Sequence, residues 1–161
     1  VGVGLTADAY HITASDPEGT GSRNAMQQAL NEASISLEQV DFINTHGTST
    51  PIGDVAEVKA IQDLFGKHAY NISLTSSKSM MGHLLGGSGA VEAIISLLSM
   101  QHSMVTPTIN HEEGDEDPNI DYKLNFTFNK AQQRNIRYAM SNNFGFGGHN
   151  ACLLFKNPNT P

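Results

Sequence analysis

The chain has 161 residues, of which 39% are hydrophobic and 16% charged, which is enough to fold as one ordinary domain with a buried core. Its formal net charge is -7, but five of its 16 acidic residues lie in the stretch 112–117, and the other eleven nearly balance nine basic residues. This distribution argues against nucleic-acid binding through a basic face. The acidic stretch itself is predicted to be a solvated surface loop.

The single cysteine, Cys152, excludes a disulfide within the chain and is typical of a reducing compartment. No secretory signal opens the sequence, and no apolar run reaches the roughly 18 residues of a membrane helix. We therefore expect a soluble, cytoplasmic protein. Because residues 1–5 have the pattern of a strand and no methionine precedes them, we also expect the chain to begin inside a larger protein.

The first part of the chain alternates extended and helical patterns. Residues 1–5 are predicted to form a strand that continues extended over 8–13, before turn residues at 16–21. From Ser22, the expected N-cap, apolar residues recur with helical spacing. Ser36 with Gln39 resembles a capping box, and a short strand is predicted at 40–44.

A second alternation follows in the rest of the chain. Asp54 with Glu57 resembles the cap of a helix that ends at Gly66. A strand at 72–75 leads into a helix at 88–101, whose apolar residues lie on nearly all sides, so we expect it to be buried. Further strands are predicted at 124–128, 137–141 and 150–155. Helices alternating with strands predict a layered α/β fold.

Three motifs each follow a predicted strand and combine chemically capable side chains with glycines. They are Thr-His-Gly-Thr-Ser-Thr at 45–50, Lys-Ser-Met-Met-Gly-His at 78–83, and Asn-Phe-Gly-Phe-Gly-Gly at 143–148. Taken singly, each is better explained by a surface or structural histidine, a solvated lysine or an ordinary turn. Ligands bind at strand ends in α/β sheets, so two histidines and a lysine at such ends together indicate a site.

In this order the three motifs resemble the C-terminal half of a β-ketoacyl-acyl carrier protein synthase, the condensing enzyme of fatty-acid synthesis. The match is to the elongating type with a Cys-His-His triad, and it covers the chain from Asp8 to Phe155. It implies that 1–161 form one C-terminal β-ketoacyl synthase domain, half of a thiolase-like α-β-α-β-α fold with a mixed sheet. The helix at 88–101 would belong to the central layer that the two halves share.

The resemblance also implies partners and site residues. The partners are acyl carrier protein, with its phosphopantetheine-linked acyl and malonyl groups, the N-terminal half of the same enzyme, and a second copy in a homodimeric parent. No cofactor is implied. The residues assigned to the site are catalytic His46, His83, Lys78 and Phe146, substrate-binding Thr48, Thr50, Gly145 and Gly147, and, as structural groups beside them, Asp54 and Glu92.

These assignments carry specific roles. Lys78 matches the lysine of the electrostatic network around the second histidine, His83. Phe146 matches the residue whose backbone N–H supplies half of the oxyanion hole and whose ring gates the acyl pocket. Thr48 and Thr50 match hydroxyls that bind the phosphopantetheine arm.

The chemistry of condensation suits these residue types. Loss of CO2 from a malonyl thioester leaves negative charge on the thioester oxygen, which two neutral imidazole N–H donors can stabilise. We expect the helix after His83, together with the ammonium of Lys78, to keep that ring neutral. Gly145, Gly147 and Gly148 would permit positive φ and the close backbone approach that an oxyanion hole requires.

The acyl-accepting cysteine of the family lies in the N-terminal half and is absent here. Cys152 sits in an apolar strand and is expected to be an inert core residue. We therefore predict that the chain alone is inactive and that the missing half leaves the helix at 88–101 with an exposed apolar face. Such a face promotes dimerisation or aggregation, or lowers the melting temperature.

Other functions fit the sequence less well. The alternative that stays open is a non-catalytic partner subunit, like the chain-length factors of polyketide systems, although the intact His46, His83 and Lys78 favour an active parent. Seven histidines suggest a metalloprotein, but the His-Glu-x-x-His pattern is missing, and we predict no metal. The glycines around Ser88 do not have the spacing of a serine hydrolase, and Cys152 does not begin the Cys-x-Gly of a thiolase.

Overall fold

A computed structural model describes residues 1–160. Its helices and strands are β1 (Gly2–Ala7), α1 (Thr20–Ala33), β2 (Val40–Asn44), α2 (Pro51–Phe65), β3 (Ser73–Thr75), α3 (Lys78–Met81), α4 (Ser88–His102), β4 (Met104–Val105), β5 (Gln132–Gln133), β6 (Tyr138–Gly145) and β7 (His149–Lys156). Short 3-10 turns lie at 37–39, 66–71 and 85–87.

Across the described residues, five strands form a mixed sheet in the order β1-β7-β6-β2-β3. Strands β1 and β6 both run antiparallel to β7, which lies between them, whereas β6, β2 and β3 run parallel to one another. Parallel strands end at the same edge of a sheet, so the loops after β2, β3 and β6 meet there. These loops contain the three sequence motifs.

Helices cover both faces of the sheet and produce three layers. The main core lies between the sheet and helices α1 and α2, where Met26, Leu30 and Ile61 are at most 2% exposed. A smaller cluster around Phe42 and Met100 lies on the opposite face, beneath α4. The layered α/β class predicted from the sequence is therefore confirmed.

Strand β1 packs directly on the backbone of helix α1. A Cβ atom added at Gly4 would lie 1.8 Å from the carbonyl oxygen of Ala25, and one at Gly2 would lie 2.1 Å from that of Ala29. No side chain larger than hydrogen fits at either position without moving the strand off the helix.

Near the N-terminus, two predictions are wrong. Residues 8–13 are irregular with bends instead of continuing β1, and Ala9 has a φ of 51° that no extended strand adopts. Helix α1 begins at Thr20 with Gly19 as its N-cap, three residues before the expected cap Ser22. The hydroxyl of Ser22 instead donates a hydrogen bond to the carbonyl oxygen of Gly19.

The start of α2 also differs from the prediction. The helix begins at Pro51 after Thr50, so Asp54 and Glu57 lie inside it and do not form its cap. Glu57 is instead turned into the protein interior. The capping box at Ser36 and the helix end at Gly66 are confirmed.

The strand predicted at 124–128 does not form. That segment makes only isolated bridges, from Asn125 to Ser73 and from Phe128 to Thr108. Between them Thr127 has a φ of 49°, which interrupts any extended run and is unusual for a β-branched residue.

Helix α4 is buried on one side only, so the expectation that it is buried all round is wrong, whereas the expected exposed apolar face is present. The side facing the sheet is largely polar, with Ser88, Glu92 and Ser96 fully buried. On the other side Ile94 is 56% exposed and Leu97 47% exposed, because nothing in residues 1–160 covers them. Within the same residues, none of the helices is long and apolar enough to cross a membrane.

Candidate active site

The loops that follow β2, β3 and β6 bring aromatic and imidazole rings together at the edge of the sheet. The ring centroids of His46 and His83 lie 5.6 Å apart, with the rings nearly perpendicular at 83°. The ring centroid of Phe144, near the end of β6, lies 5.4 Å from the ring centroid of His46. The two histidines, 37 residues apart in the sequence, are therefore neighbours in the fold.

A cavity of about 810 Å³ opens onto both histidine rings and the glycine-rich hairpin between β6 and β7. Of the residues that the sequence assigns to the site, this cavity is lined by His46, His83, Thr48, Thr50, Asp54, Gly145 and Phe146. A cavity of about 690 Å³ is lined by Lys78 and again by His83, Thr48, Thr50 and Asp54. Among the described residues, Gly147 and Glu92 line neither cavity.

The ring of His46 is held in its neutral form. Burial chiefly lowers the pKa of His46, to about 3, and the electrostatic influence of Lys78 and then of His83 lowers it further. Nδ1 of His46 is buried and has no hydrogen-bond partner within residues 1–160. At neutral pH this imidazole is therefore uncharged and available to donate one N–H.

The ring of His83 has a defined acceptor side. The backbone N–H of Leu85 points at Nδ1 from 3.1 Å, and the hydroxyl of Ser88 lies 3.1 Å from the same atom. A backbone N–H can only donate, so Nδ1 accepts, and the proton of a neutral ring lies on Nε2. The expectation that the following helix keeps this ring neutral stays a prediction.

Lys78 and Glu92 form a buried ion pair beneath the site. Nζ lies 2.5 Å from Oε1 of Glu92, and the two side chains are 5% and 0% exposed. The other carboxylate oxygen accepts a hydrogen bond from the side chain of Asn143 at 3.1 Å. Lys78 was expected to act around His83; in the structure its charge acts on the pKa of His46 and its ammonium pairs with Glu92.

Sequence reasoning missed Glu57 as part of the site. Its carboxylate accepts the backbone N–H of His46 and that of Gly47, both at 2.9 Å, and the side-chain N–H of Asn142 at 3.2 Å. Burial nevertheless raises the pKa of Glu57 to about 7. The signal in the sequence is an acid set between Ala56 and Val58, both buried on α2.

The glycine-rich hairpin carries Phe146 at its tip, where the side chain is 78% exposed. Gly147 and Gly148 have φ values of 87° and 75°, as expected from their role in a tight turn. Gly145 was expected to share this conformation but lies in β6, paired with His149 in the last rung of the hairpin. The hairpin is tied to the 8–13 segment, since the N–H of Gly147 donates to the carbonyl oxygen of Ile12 at 2.6 Å.

The hydroxyls of Thr48 and Thr50 lie 3.1 Å apart at the mouth of the cavities. Asp54, one turn further along, accepts the backbone N–H of Ser49, yet burial raises the pKa of its carboxyl. The two hydroxyls and the carboxyl of Asp54 can form hydrogen bonds at the cavity, and none of the three groups carries a positive charge.

Cys152 lies fully buried in β7, far from solvent. Burial, followed by the negative charge of Glu57, raises the pKa of its thiol well above its usual range. It therefore cannot serve as an exposed thiolate nucleophile. This agrees with the prediction from the sequence that Cys152 is an inert core residue. Within residues 1–160, no group of three or more His, Cys, Asp or Glu side chains is arranged to hold a metal ion.

Comparison with known proteins agrees with this geometry. Residues 1–112 match the family model of the beta-ketoacyl synthase C-terminal domain. The 3-oxoacyl-[acyl-carrier-protein] synthase 2 of Staphylococcus aureus (strain COL) is 53% identical over 156 residues, which cover 97% of this chain and 37% of that protein. The chain thus spans little more than a third of the relative's length.

Solved structures give the same result. A type II polyketide acyl-carrier protein in complex with its ketosynthase bound to the hexaketide matches with a TM-score of 0.91 and 31% identity, covering 96% of this chain and 37% of that one. The ishigamide ketosynthase/chain length factor matches with a TM-score of 0.87 and 35% identity, covering 96% and 36%. The fold is thus that of a thiolase-like ketosynthase. Specifically, the chain belongs to the β-ketoacyl synthase family and corresponds to its C-terminal domain.

Proposed function

We propose that the chain is the C-terminal part of a fatty-acid condensing enzyme similar to 3-oxoacyl-[acyl-carrier-protein] synthase 2. The reaction is the decarboxylative Claisen condensation of malonyl-acyl carrier protein with an acyl chain bound to a cysteine. The observation that carries the proposal is the pair of imidazole rings 5.6 Å apart on one cavity that also reaches the glycine-rich hairpin.

In this mechanism the two histidines act on one thioester oxygen. Each neutral ring offers one N–H, and together they stabilise the negative charge that forms when CO2 leaves the malonyl group. The lowered pKa of His46 supports this role, because it keeps the ring uncharged at neutral pH, with one N–H to donate. Lys78, held by Glu92, contributes the nearby positive charge that disfavours a protonated His46.

The backbone N–H of Phe146 supplies half of an oxyanion hole for the acyl-cysteine, while its exposed ring gates the acyl pocket. Thr48 and Thr50 hold the phosphopantetheine arm, and Gly145 and Gly147 let the backbone approach it. The position of these loops on the cavity that contains His46 and His83 supports the assignment for all but Gly147. Gly147 contributes instead through the turn conformation of the hairpin.

The remaining parts of the enzyme come from outside the chain. The acyl-accepting cysteine belongs to an N-terminal half, since the only thiol here is buried. Acyl carrier protein delivers the acyl and malonyl groups, and the parent is a homodimer. The chain alone is inactive because it lacks the nucleophile and half of the pocket.

A chain-length-factor-like subunit is the second candidate, because the matched structures include a ketosynthase/chain length factor. A non-catalytic subunit does not require the adjacent imidazole rings of His46 and His83 or the buried Lys78–Glu92 ion pair beneath them. The retention of these groups here favours the catalytic role.

The test is His83→Ala in the full-length polypeptide that carries this chain. We expect malonyl decarboxylation to be lost, while transfer of an acyl group to the cysteine remains measurable. Exposed His102, on the last turn of α4, provides a matched control, and His102→Ala should leave both steps intact. Retained condensation in His83→Ala would refute the role of that histidine.

A further inference from the structure

Ser88, the first residue of α4, has a buried hydroxyl with two neighbours in the candidate active site. Its oxygen accepts the backbone N–H of Leu84 at 2.9 Å and lies 3.1 Å from Nδ1 of His83. The residue is fully buried, so water does not compete for these contacts. The hydroxyl therefore links the loop and the helix that follow α3 to one particular atom of the histidine.

The direction of each hydrogen bond follows from the donors available. The N–H of Leu84 can only donate, so it occupies a lone pair of the serine oxygen and leaves the hydroxyl hydrogen free. Nδ1 of His83 already accepts from the N–H of Leu85 and is therefore not protonated in the neutral ring. The hydroxyl hydrogen of Ser88 consequently points to Nδ1.

We infer that Ser88 is a positioning residue that fixes the tautomer and the orientation of His83. Two donors, one from the main chain and one from Ser88, converge on Nδ1 and hold the remaining proton on Nε2. With Nδ1 occupied, Nε2–H is the group left to meet a substrate oxygen. The consequence for catalysis rests on the proposed function, whereas the contact itself does not.

The strained backbone beside the histidine agrees with this role. Leu85 has a φ of 52° although it is not glycine, and it is 78% exposed, so no packing of its own side chain explains the conformation. That conformation directs the chain that follows Leu85 and so sets the position of Ser88 beside Nδ1. The chain thus accepts local strain to complete the pair of donors that Ser88 begins.

Another serine of the same helix provides the control. Ser99 is also buried on α4, but within residues 1–160 its hydroxyl has no hydrogen-bond partner. Ser99→Ala removes the same atoms from the same helix without touching His83. A general effect of serine removal on α4 would appear equally in both variants.

The direct experiment is nitrogen NMR of ¹⁵N-histidine-labelled protein in the full polypeptide that carries this chain, with His83 assigned from the His83→Ala variant. In Ser88→Ala we expect the Nδ1 signal of His83 to shift and signal from the second tautomer to appear, while Ser99→Ala matches the unmodified protein. Circular dichroism checks that both variants are folded.

The kinetic experiment measures malonyl decarboxylation and acyl transfer separately. In Ser88→Ala, kcat for decarboxylation should fall about 3- to 10-fold, as expected for one neutral hydrogen bond, with KM and acyl transfer unchanged. His83 signals in Ser88→Ala identical to those in Ser99→Ala would overturn the inference. If instead the signals change but His83→Ala retains full decarboxylation, the positioning by Ser88 stands and the proposed function fails.

Discussion

Replacing Glu57 with glutamine tests how the buried carboxyl beneath the His46 loop responds to pH. The carboxylate accepts the backbone N–H groups of His46 and Gly47, so its ionised form has partners. Burial nevertheless dominates and raises the pKa of Glu57 from 4.5 to about 7. Folding therefore favours the protonated acid, and glutamine has no proton to lose.

The sign of the effect follows from proton binding. Between about pH 4.5 and pH 7 the folded protein holds the Glu57 proton while the unfolded chain has released it, so the free energy of unfolding falls as pH rises. The stabilisation from the Glu57 proton is complete below the pKa of Glu57 in the unfolded chain. It is lost as the pH rises through the pKa of Glu57 in the folded protein. A difference of about 2.5 pH units corresponds to about 3 kcal/mol. That is a large share of the roughly 5–15 kcal/mol that stabilises a typical domain.

The assay is urea unfolding, followed by circular dichroism, from about pH 4.5 to about pH 7.5. Glutamine has one side-chain oxygen where glutamate has two, so one backbone N–H of His46 or Gly47 loses its acceptor. This loss lowers the free energy of unfolding by about 1–3 kcal/mol at every pH. The stability of Glu57→Gln relative to the unmodified protein should therefore rise by about 3 kcal/mol across the range. Exposed Glu113 supplies the control, since Glu113→Gln should track the unmodified protein. Parallel curves for Glu57→Gln and the unmodified protein would refute the reasoning.

Three further substitutions probe other parts of the fold. Gly4→Ala should lower the free energy of unfolding by about 1–3 kcal/mol in urea titrations, because the added Cβ would meet the backbone of Ala25. Asp41→Asn should cost about 1–3 kcal/mol in the same assay, since its buried carboxylate accepts the backbone N–H and two guanidinium N–H groups of Arg137. Leu97→Glu on the uncovered face of α4 should reduce self-association of the chain in sedimentation velocity.

Two of these substitutions have a matched control variant. Gly86→Ala should change stability far less than Gly4→Ala, because a Cβ there meets no atom within 4 Å in residues 1–160. Asp63→Asn, which breaks an exposed pair with Lys59, should matter far less than Asp41→Asn. Equal losses within either pair would contradict the packing described here. A Leu97→Glu chain that sediments like the unmodified one would show that α4 does not drive association.

The sequence predicts the architecture well where local patterns and packing agree. β2, α2 and the paired strands β6 and β7 follow from hydrophobic runs bounded by turn residues. The segment 124–128 has the composition of a strand, but its neighbour β3 is only three residues long and offers little edge to pair with. Tertiary context, and not propensity, decides that region.

The residues of the candidate site can be predicted from the sequence where they belong to one of the three motifs. His46, His83 and Lys78 are recognisable because each follows a strand, and parallel strands bring their ends together. Glu57 stands in none of the three motifs, and two of its partners are backbone amides, so its apolar neighbours in the sequence can indicate burial but not its contact with the His46 loop. The contact of Ser88 with His83 could not be predicted, because it depends on the positive φ of Leu85, which the sequence does not reveal. With this bend in the loop, the hydroxyl of Ser88 and the N–H of Leu85 both reach Nδ1 of His83.

The sealed position of Cys152 has a practical consequence. Its thiol is fully buried and, since the chain contains one cysteine, no other sulfhydryl competes for a reagent. A cysteine introduced at the exposed tip of the hairpin, in place of Phe146, would therefore take a fluorophore or a spin label on its own. The mobility of such a label would report the motion of the hairpin in this chain, with the native thiol left in place.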